Sequence, residues 1–135
     1  MGLFGKKKKS AEDKVIVAPI VTKGNEALAD PTIILVDSRS YREYCEGHIP
    51  TSINFPYDAF NKNPDIVYEV FPDKDAKIYL YSLNGDWSWS TELLMKDLGY
   101  KNAEHIGTLN QWTGEYEFGD PNMPEEPEAP EEPTE

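Results

Sequence analysis

Apolar residues along this chain come in short runs, each closed by a polar or turn-forming residue. In "TIILVDSR" four consecutive aliphatics, Ile33 to Val36, stand between Asp30-Pro31 and Asp37. A short run without polar alternation is the pattern of a strand buried on both faces of a parallel sheet. "KIYLYS", Lys77 to Ser82, repeats it, and "VIVAPIV" (Val15 to Val21) and "AEHIG" are weaker strand candidates. Helical signals fall between these runs. Ser40 followed by Glu43 forms a capping box, which predicts a helix from about Tyr41 to Glu46 with Gly47 as a left-handed cap. A second helix is expected from about Ser88, with Leu93, Leu94 and Leu98 on one face and its end at Gly99. Strands alternating with helices predict an α/β fold with a mostly parallel sheet. Ligands in such sheets gather beyond the carboxyl ends of the strands, here residues 37–40 and 82–88.

Composition limits what that core can be. The chain has 135 residues, 39% of them hydrophobic, enough for one compact core and too few for two. No apolar run approaches the roughly 20 residues of a membrane span, so a cytoplasmic protein without a transmembrane segment is expected. A single cysteine, Cys45, excludes an internal disulfide and a cysteine-based zinc site, and neither metal nor cofactor is expected.

The formal net charge of −12 argues against a nucleic-acid partner, whose phosphates need basic side chains. Residues 121–135 carry six Glu and no base, so half of that charge sits on a Pro/Glu stretch that cannot bury enough apolar surface to fold. The expected organisation is a flexible basic segment over 1–13, a folded domain over 14–118 and a disordered acidic tail over 119–135. Lys6, Lys7, Lys8 and Lys9 follow a short apolar tip and offer weak contact with an anionic membrane surface; a solvated basic terminus is the plainer reading.

The second strand end, "SLNGDWS", would turn several backbone N–H groups toward one point at the positive end of a helix dipole, a geometry that binds anions or stabilises a thiolate. Gly85 leaves the backbone free to close. Yet Asp86 adds negative charge, no Lys or Arg occurs between Lys77 and Lys96, and Ser82 has no base near it in sequence. His48 and His105 are expected to be hydrogen-bonded structural residues.

At this point the motifs carry a resemblance. "IILVDSRSYREYCEGHIPTSINFPYDAF" resembles the first signature of rhodanese-like domains, through Asp37 and Arg39, Glu43 and Tyr44, Gly47 to Pro50, and Ile53-Asn54. "LGYKNAEHIGTLNQW" is similar to the ending of that family, with Gly107, Leu109 and Trp112 in place and Thr108 where a second glycine is usual. The resemblance spans about Val15 to Trp112 in the family's order. It implies a small α/β domain with a central, mostly parallel sheet of about five strands flanked by helices.

Active members of that family carry sulfur as a persulfide on a cysteine that opens a Cys-x-x-Gly-x-Arg-Ser loop. Laid on this chain, Gly85 and Ser88 match, while Ser82 takes the cysteine position and Trp87 the arginine position. A serine oxygen cannot carry sulfane sulfur by thiolate exchange, and loss of the arginine removes the charge that would hold an anionic donor. The resemblance with these departures implies a catalytically inactive module with no catalytic residue. It would bind a protein or small-molecule ligand at the loop mouth through Ser82, Leu83, Asn84, Gly85, Asp86, Trp87, Ser88 and Arg39.

Trp87 and Trp89 could line that mouth, and at least one of them is expected there. Arg39 either pairs with Asp37 or a helix carboxylate, or faces the mouth as its cation. Two other readings stand beside this one. The first is an enzyme, by residual sulfur transfer through Cys45 or hydrolysis through Ser82. The second is a small scaffolding domain that works through its charged tails. Cys45 itself is expected to be a small buried or half-buried residue, and the chain a monomer.

Overall fold

The computed structural model describes residues 16–83 and 86–121. The lysine cluster at 6–9, the acidic tail beyond Pro121, and Asn84 with Gly85 lie outside the described residues.

Helix α1 (Pro19–Ala29) occupies ground that the apolar pattern of "VIVAPIV" assigned to a strand. Proline explains the difference. It cannot donate to a sheet ladder, but at the first helical position its missing N–H and fixed φ are no handicap. Ile20, Gly24 and Ala27, spaced four and three residues apart, turn one face of α1 to the core, while Ile16 and Val17 are exposed.

The chain then alternates through β1 (Ile34–Asp37), α2 (Tyr41–Glu46), β2 (Ile53–Asn54), α3 (Tyr57–Lys62), α4 (Ile66–Val70), β3 (Ile78–Ser82), α5 (Asp86–Asp97) and β4 (Ala103–Thr108). A short 3-10 turn, Leu109–Gln111, follows. The strands form one sheet in the order β2-β1-β3-β4, and every pair is parallel. Among the described residues the sheet thus has four strands where about five were expected, because the first apolar run became α1.

Side chains alternate across the sheet as strand geometry requires. Leu35, Tyr79, Tyr81 and Ile106 pack on one side with Ile20 and Ala27 of α1 and with Trp112. Val36, Ile78, Leu80 and Ala103 pack on the other with Val67, Phe71 and Met95. Every residue of β3 is buried, as befits a central strand covered on both faces.

Both foreseen helices form. In α2 the Ser40 side chain accepts from the Glu43 amide, and Glu43 accepts from the Ser40 amide in return. Gly47 ends this helix with φ 151 and ψ 129, an extended mirror-image conformation in place of the expected left-handed turn. A side chain there would meet the Phe118 and Tyr116 rings at 3.3 and 3.4 Å.

Helix α5 begins two residues before the expected Ser88 and buries Ser88, Thr91 and Met95. Leu94 and Leu98 are partly buried against the core, but Leu93 is 51% exposed and does not share their face. At 100° per residue, Leu93 falls nearly opposite the Ser88–Thr91–Met95 stripe. The helix closes with the Gly99 amide on the Lys96 carbonyl (3.1 Å) and the Tyr100 amide on the Met95 carbonyl (2.9 Å), a Schellman arrangement with Gly99 at φ 104.

Candidate functional site

The carboxyl ends of β1 and β3 lie side by side, with Asp37 in register with Tyr81. Each strand hands over directly to a helix, β1 through Ser38–Ser40 into α2 and β3 through residues 83–85 into α5. The edge is built rigidly. The Ser38 amide bonds the Tyr81 carbonyl (2.8 Å), the Phe55 amide bonds the Asp37 carbonyl (3.0 Å), and Asn54 Nδ2 donates to the Arg39 carbonyl (2.8 Å).

Arg39 answers the question that the sequence left open. Its Nε lies 3.0 and 3.1 Å from the two Asp37 carboxylate oxygens and its Nη2 2.8 Å from Oδ2, while Nη2 also donates to the Gly47 carbonyl at 2.6 Å. Burial works against the charge on Arg39, but these bonds and the Asp37 charge outweigh it and raise its pKa above the ordinary value. Arg39 therefore ties the strand end to the turn that starts "GHIP", and it also forms part of the wall of the mouth.

That mouth is a cavity of about 100 Å³ lined by Arg39, Glu43, Ser82, Leu83 and Trp87. It suits a small group; ordinary ligand pockets run from about 300 to 1,000 Å³. Ser82 is buried, and its hydroxyl donates to the Ser88 hydroxyl across the turn at 3.3 Å. Among the described residues that line the mouth, both charged side chains are committed: Arg39 to Asp37, and Glu43 to the Ser40 amide and hydroxyl at 3.2 and 2.9 Å.

Trp87 is 44% exposed and stacks on Tyr57, ring centroids 6.4 Å apart at 22°. It also lines a groove of about 380 Å³ together with Ser40, Tyr41, Pro56, Asp58, Ala59 and Lys62. Trp89, 53% exposed, lines neither cavity. Of the residues singled out in the sequence, the structure thus gathers Arg39, Ser82, Leu83 and Trp87 at one mouth, with Ser88 behind Ser82.

Sequence reasoning missed Glu43 as a wall of the mouth, and Tyr41, Tyr57, Pro56 and Lys62 around the groove. The signals were present. The capping box fixes Glu43 beside the end of β1, and Pro56-Tyr57 opens a helix at the end of β2, a third carboxyl end at the same sheet edge.

The remaining chemical groups are engaged elsewhere. His48 is fully buried, with Nδ1 2.8 Å from the Tyr44 carbonyl, Nε2 3.3 Å from Glu117 and its ring flat on Tyr44 at 3.7 Å. The Tyr81 hydroxyl accepts from the Ile49 amide at 3.0 Å. Because Ser52 Oγ spends its proton on the Ile49 carbonyl (2.7 Å), Tyr81 donates to Ser52 Oγ at 3.0 Å. Cys45, on α2, is partly buried and lines neither cavity. A hydrogen bond with its thiol, together with burial and the nearby Asp120, pushes the Tyr41 hydroxyl up to about 12.

A parallel sheet covered by helices on both faces, with a strand-to-helix loop at its carboxyl edge, defines an α/β domain of the kind that builds sites from such loops. The chain belongs to the rhodanese-like domain family, whose pattern matches residues 21–115.

Its relatives include a tRNA uridine(34) hydroxylase of Sodalis glossinidius, 34% identical over 83 residues, 61% of this chain and 24% of that protein. The thiosulfate:glutathione sulfurtransferase of Saccharomyces cerevisiae is 33% identical over 93 residues, 62% of this chain and 66% of that one. The chain therefore spans about a quarter of the hydroxylase's length. A human single-domain sulfurtransferase shares the fold with a TM-score of 0.57 at 22% identity, over 68% of this chain and 90% of that one. A rhodanese from E. coli does so with a TM-score of 0.57 at 22% identity, over 64% and 99%. Among the described residues no helix is long and apolar enough to cross a membrane.

Proposed function

We propose that this rhodanese-like domain does not turn over sulfur and instead binds a ligand at the mouth where its active relatives would react. One observation carries the reading. Ser82, at the position of the family's cysteine, is buried with its hydroxyl on Ser88, while Trp87, at the position of the family's arginine, lines both the mouth and the 380 Å³ groove. A hydroxyl does not ionise near neutral pH without a base, and the charged side chains described at the mouth, Arg39 and Glu43, are already paired or capped. Sulfur transfer by thiolate exchange needs a thiol, and the one cysteine here sits on α2, away from the mouth. An exposed tryptophan beside an apolar groove is instead the usual anchor of a binding surface.

The test measures thiocyanate formed from thiosulfate and cyanide by the natural chain, Ser82→Cys, and Ser82→Cys/Trp87→Arg. No turnover by the natural chain and clear turnover by the double variant is the expected result. Turnover by the natural chain that disappears in Cys45→Ser would refute it.

A further inference from the structure

His48 stands at a junction that the mouth does not use. Its ring is fully buried and lies flat on Tyr44, centroids 3.7 Å apart at 6°. Its backbone pairs with a segment beyond the 3-10 turn. The His48 amide donates to the Glu117 carbonyl at 2.9 Å and the Glu117 amide to the His48 carbonyl at 2.8 Å, an isolated antiparallel bridge. Two and three residues on, the Gly119 amide donates to the Cys45 carbonyl at 2.8 Å, and Asp120 Oδ2 accepts from the Tyr41 hydroxyl at 3.0 Å. Residues 117–120 are thereby strapped to α2 and to the turn that follows it.

The His48 side chain adds a contact of a different kind. Nδ1 lies 2.8 Å from the Tyr44 carbonyl and Nε2 lies 3.3 Å from Glu117 Oε1. A carbonyl and a carboxylate only accept. A neutral imidazole has one N–H, so in either tautomer one ring nitrogen turns its lone pair toward an acceptor. The imidazolium has two N–H groups and satisfies both, and its bond to the carboxylate is charge-assisted.

The surroundings suit that second proton. Glu117 faces Nε2 directly, and Asp120, Asp37 and Cys45 act on the hydroxyl of the Tyr44 ring that His48 covers. Arg39, which donates to the carbonyl of neighbouring Gly47, opposes a second positive charge, but Asp37 already pairs with it. Tyr81, whose hydroxyl holds the Ile49 amide, brings no positive charge.

We propose that His48 is a proton-operated latch for residues 117–120. Protonated, it grips Glu117 and holds the strap closed; with one proton fewer, it leaves the strap to its backbone bonds. The second N–H exists only while the proton is bound. The latch is therefore tight at the acid end of the range in which imidazole ordinarily titrates, about pH 5 to 8, and slackens as pH rises through it. Because Asp120 holds the Tyr41 hydroxyl and Tyr41 lines the 380 Å³ groove, the slackening reaches that groove.

The test follows amide exchange by NMR on the full chain labelled with 15N, at about pH 5.5 and about pH 8. Protection factors remove the pH dependence of the exchange chemistry, and the Leu80 amide in the central strand measures global stability. In the natural protein the protection of the Glu117 and Gly119 amides, relative to Leu80, is expected to be higher at the acid pH by about tenfold or more. Glu117→Gln offers an N–H to Nε2, which satisfies the neutral ring, and the pH effect should shrink to about twofold or less. An unchanged Trp112 indole resonance reports that the fold survives the substitution. The ring nitrogens of His48 read the proton directly, with two N–H groups expected at the acid pH and one at the alkaline. A single N–H at both pH values, protection of the strap that ignores pH in the natural chain, or the same pH effect in Glu117→Gln would each overturn the proposal. Thiocyanate turnover bears on none of these readings, so the latch and the silent mouth fail separately.

Discussion

Arg39 grips Asp37 inside the protein with two nitrogens, Nε at 3.0 and 3.1 Å and Nη2 at 2.8 Å, and carries on to the Gly47 carbonyl at 2.6 Å. Asp37 is fully buried and Arg39 is 7% exposed. Removing one partner of such a pair leaves an uncompensated buried charge, which costs about 3–5 kcal/mol. Arg39→Ala is therefore expected to lower the urea-unfolding free energy by about that much. Arg39→Lys recovers only part of the loss, because an ammonium cannot reproduce the fork that meets both carboxylate oxygens and the carbonyl. An Arg39→Ala protein as stable as the natural one would show that the pair is not what holds β1 to the turn after α2.

A second prediction concerns Gly24, in the middle of α1. Alanine is the better helix former by about 1 kcal/mol, so on propensity alone Gly24→Ala stabilises. The packing says the opposite. A Cβ at position 24 would stand 2.6 Å from Trp112 Cζ3, and the indole cannot simply withdraw, because it is buried and its Nε1 donates to the Glu115 carbonyl at 2.8 Å. Overpacking of this kind costs about 1–3 kcal/mol. Thermal unfolding should show Gly24→Ala as destabilising in the natural background. In a Trp112→Leu background the same change becomes neutral or favourable, which a double-mutant cycle reads directly.

The third is a pH dependence. Burial, and after it the charge of Asp37, holds the Tyr81 hydroxyl well above its ordinary pKa, against the lowering effect of its bonds to Ser52 and Ile49. The folded state keeps this proton at a pH where the unfolded chain loses it. The stabilisation is therefore fully present below about pH 10 and declines as pH rises from there toward the folded value, by about 1.4 kcal/mol per pH unit for one tyrosine. Urea midpoints measured from pH 8 to 11 should fall above pH 10. In Tyr81→Phe, less stable throughout for lack of the Ser52 and Ile49 bonds, that fall should be shallower by one proton. An identical slope in the two proteins would remove Tyr81 from the account.

These three sites differ in how far the sequence foretold them. The Ser40–Glu43 box is local, three residues apart, so spacing alone made it legible, whereas the Asp37–Arg39 pair was one of several pairings the sequence left open for Arg39. The strands β1 and β3 were legible because four or five consecutive apolar residues leave a short element little alternative. The contact of Gly24 with Trp112 was not, since it joins residues 88 positions apart through a helix that the apolar run disguised as a strand. Pro19 was the overlooked signal, with the Ile20–Gly24–Ala27 spacing behind it. The groove escaped for a similar reason: Tyr41, Pro56 and Trp87 come from three different strand ends, and only the strand order β2-β1-β3 places them together.

The last prediction separates two tryptophans by what they do. Trp112 is 5% exposed, packs in the core with Ile20 and Leu109, and has its indole N–H bonded. Trp87 is 44% exposed and stacks on Tyr57 with ring centroids 6.4 Å apart. Truncating a buried tryptophan costs about 3–5 kcal/mol, whereas losing one stacked pair at the surface costs about 0.5–1.5 kcal/mol. Trp112→Ala should therefore unfold the domain or lower its melting temperature sharply, and Trp87→Ala should leave it nearly unchanged. Any ligand found to bind the mouth should then lose most of its affinity in Trp87→Ala and keep it in Trp89→Ala, whose side chain lines neither cavity. Calorimetric titration of the two variants decides the matter: equal affinities would mean that Trp87, though exposed beside the mouth, is not the side chain by which the domain binds.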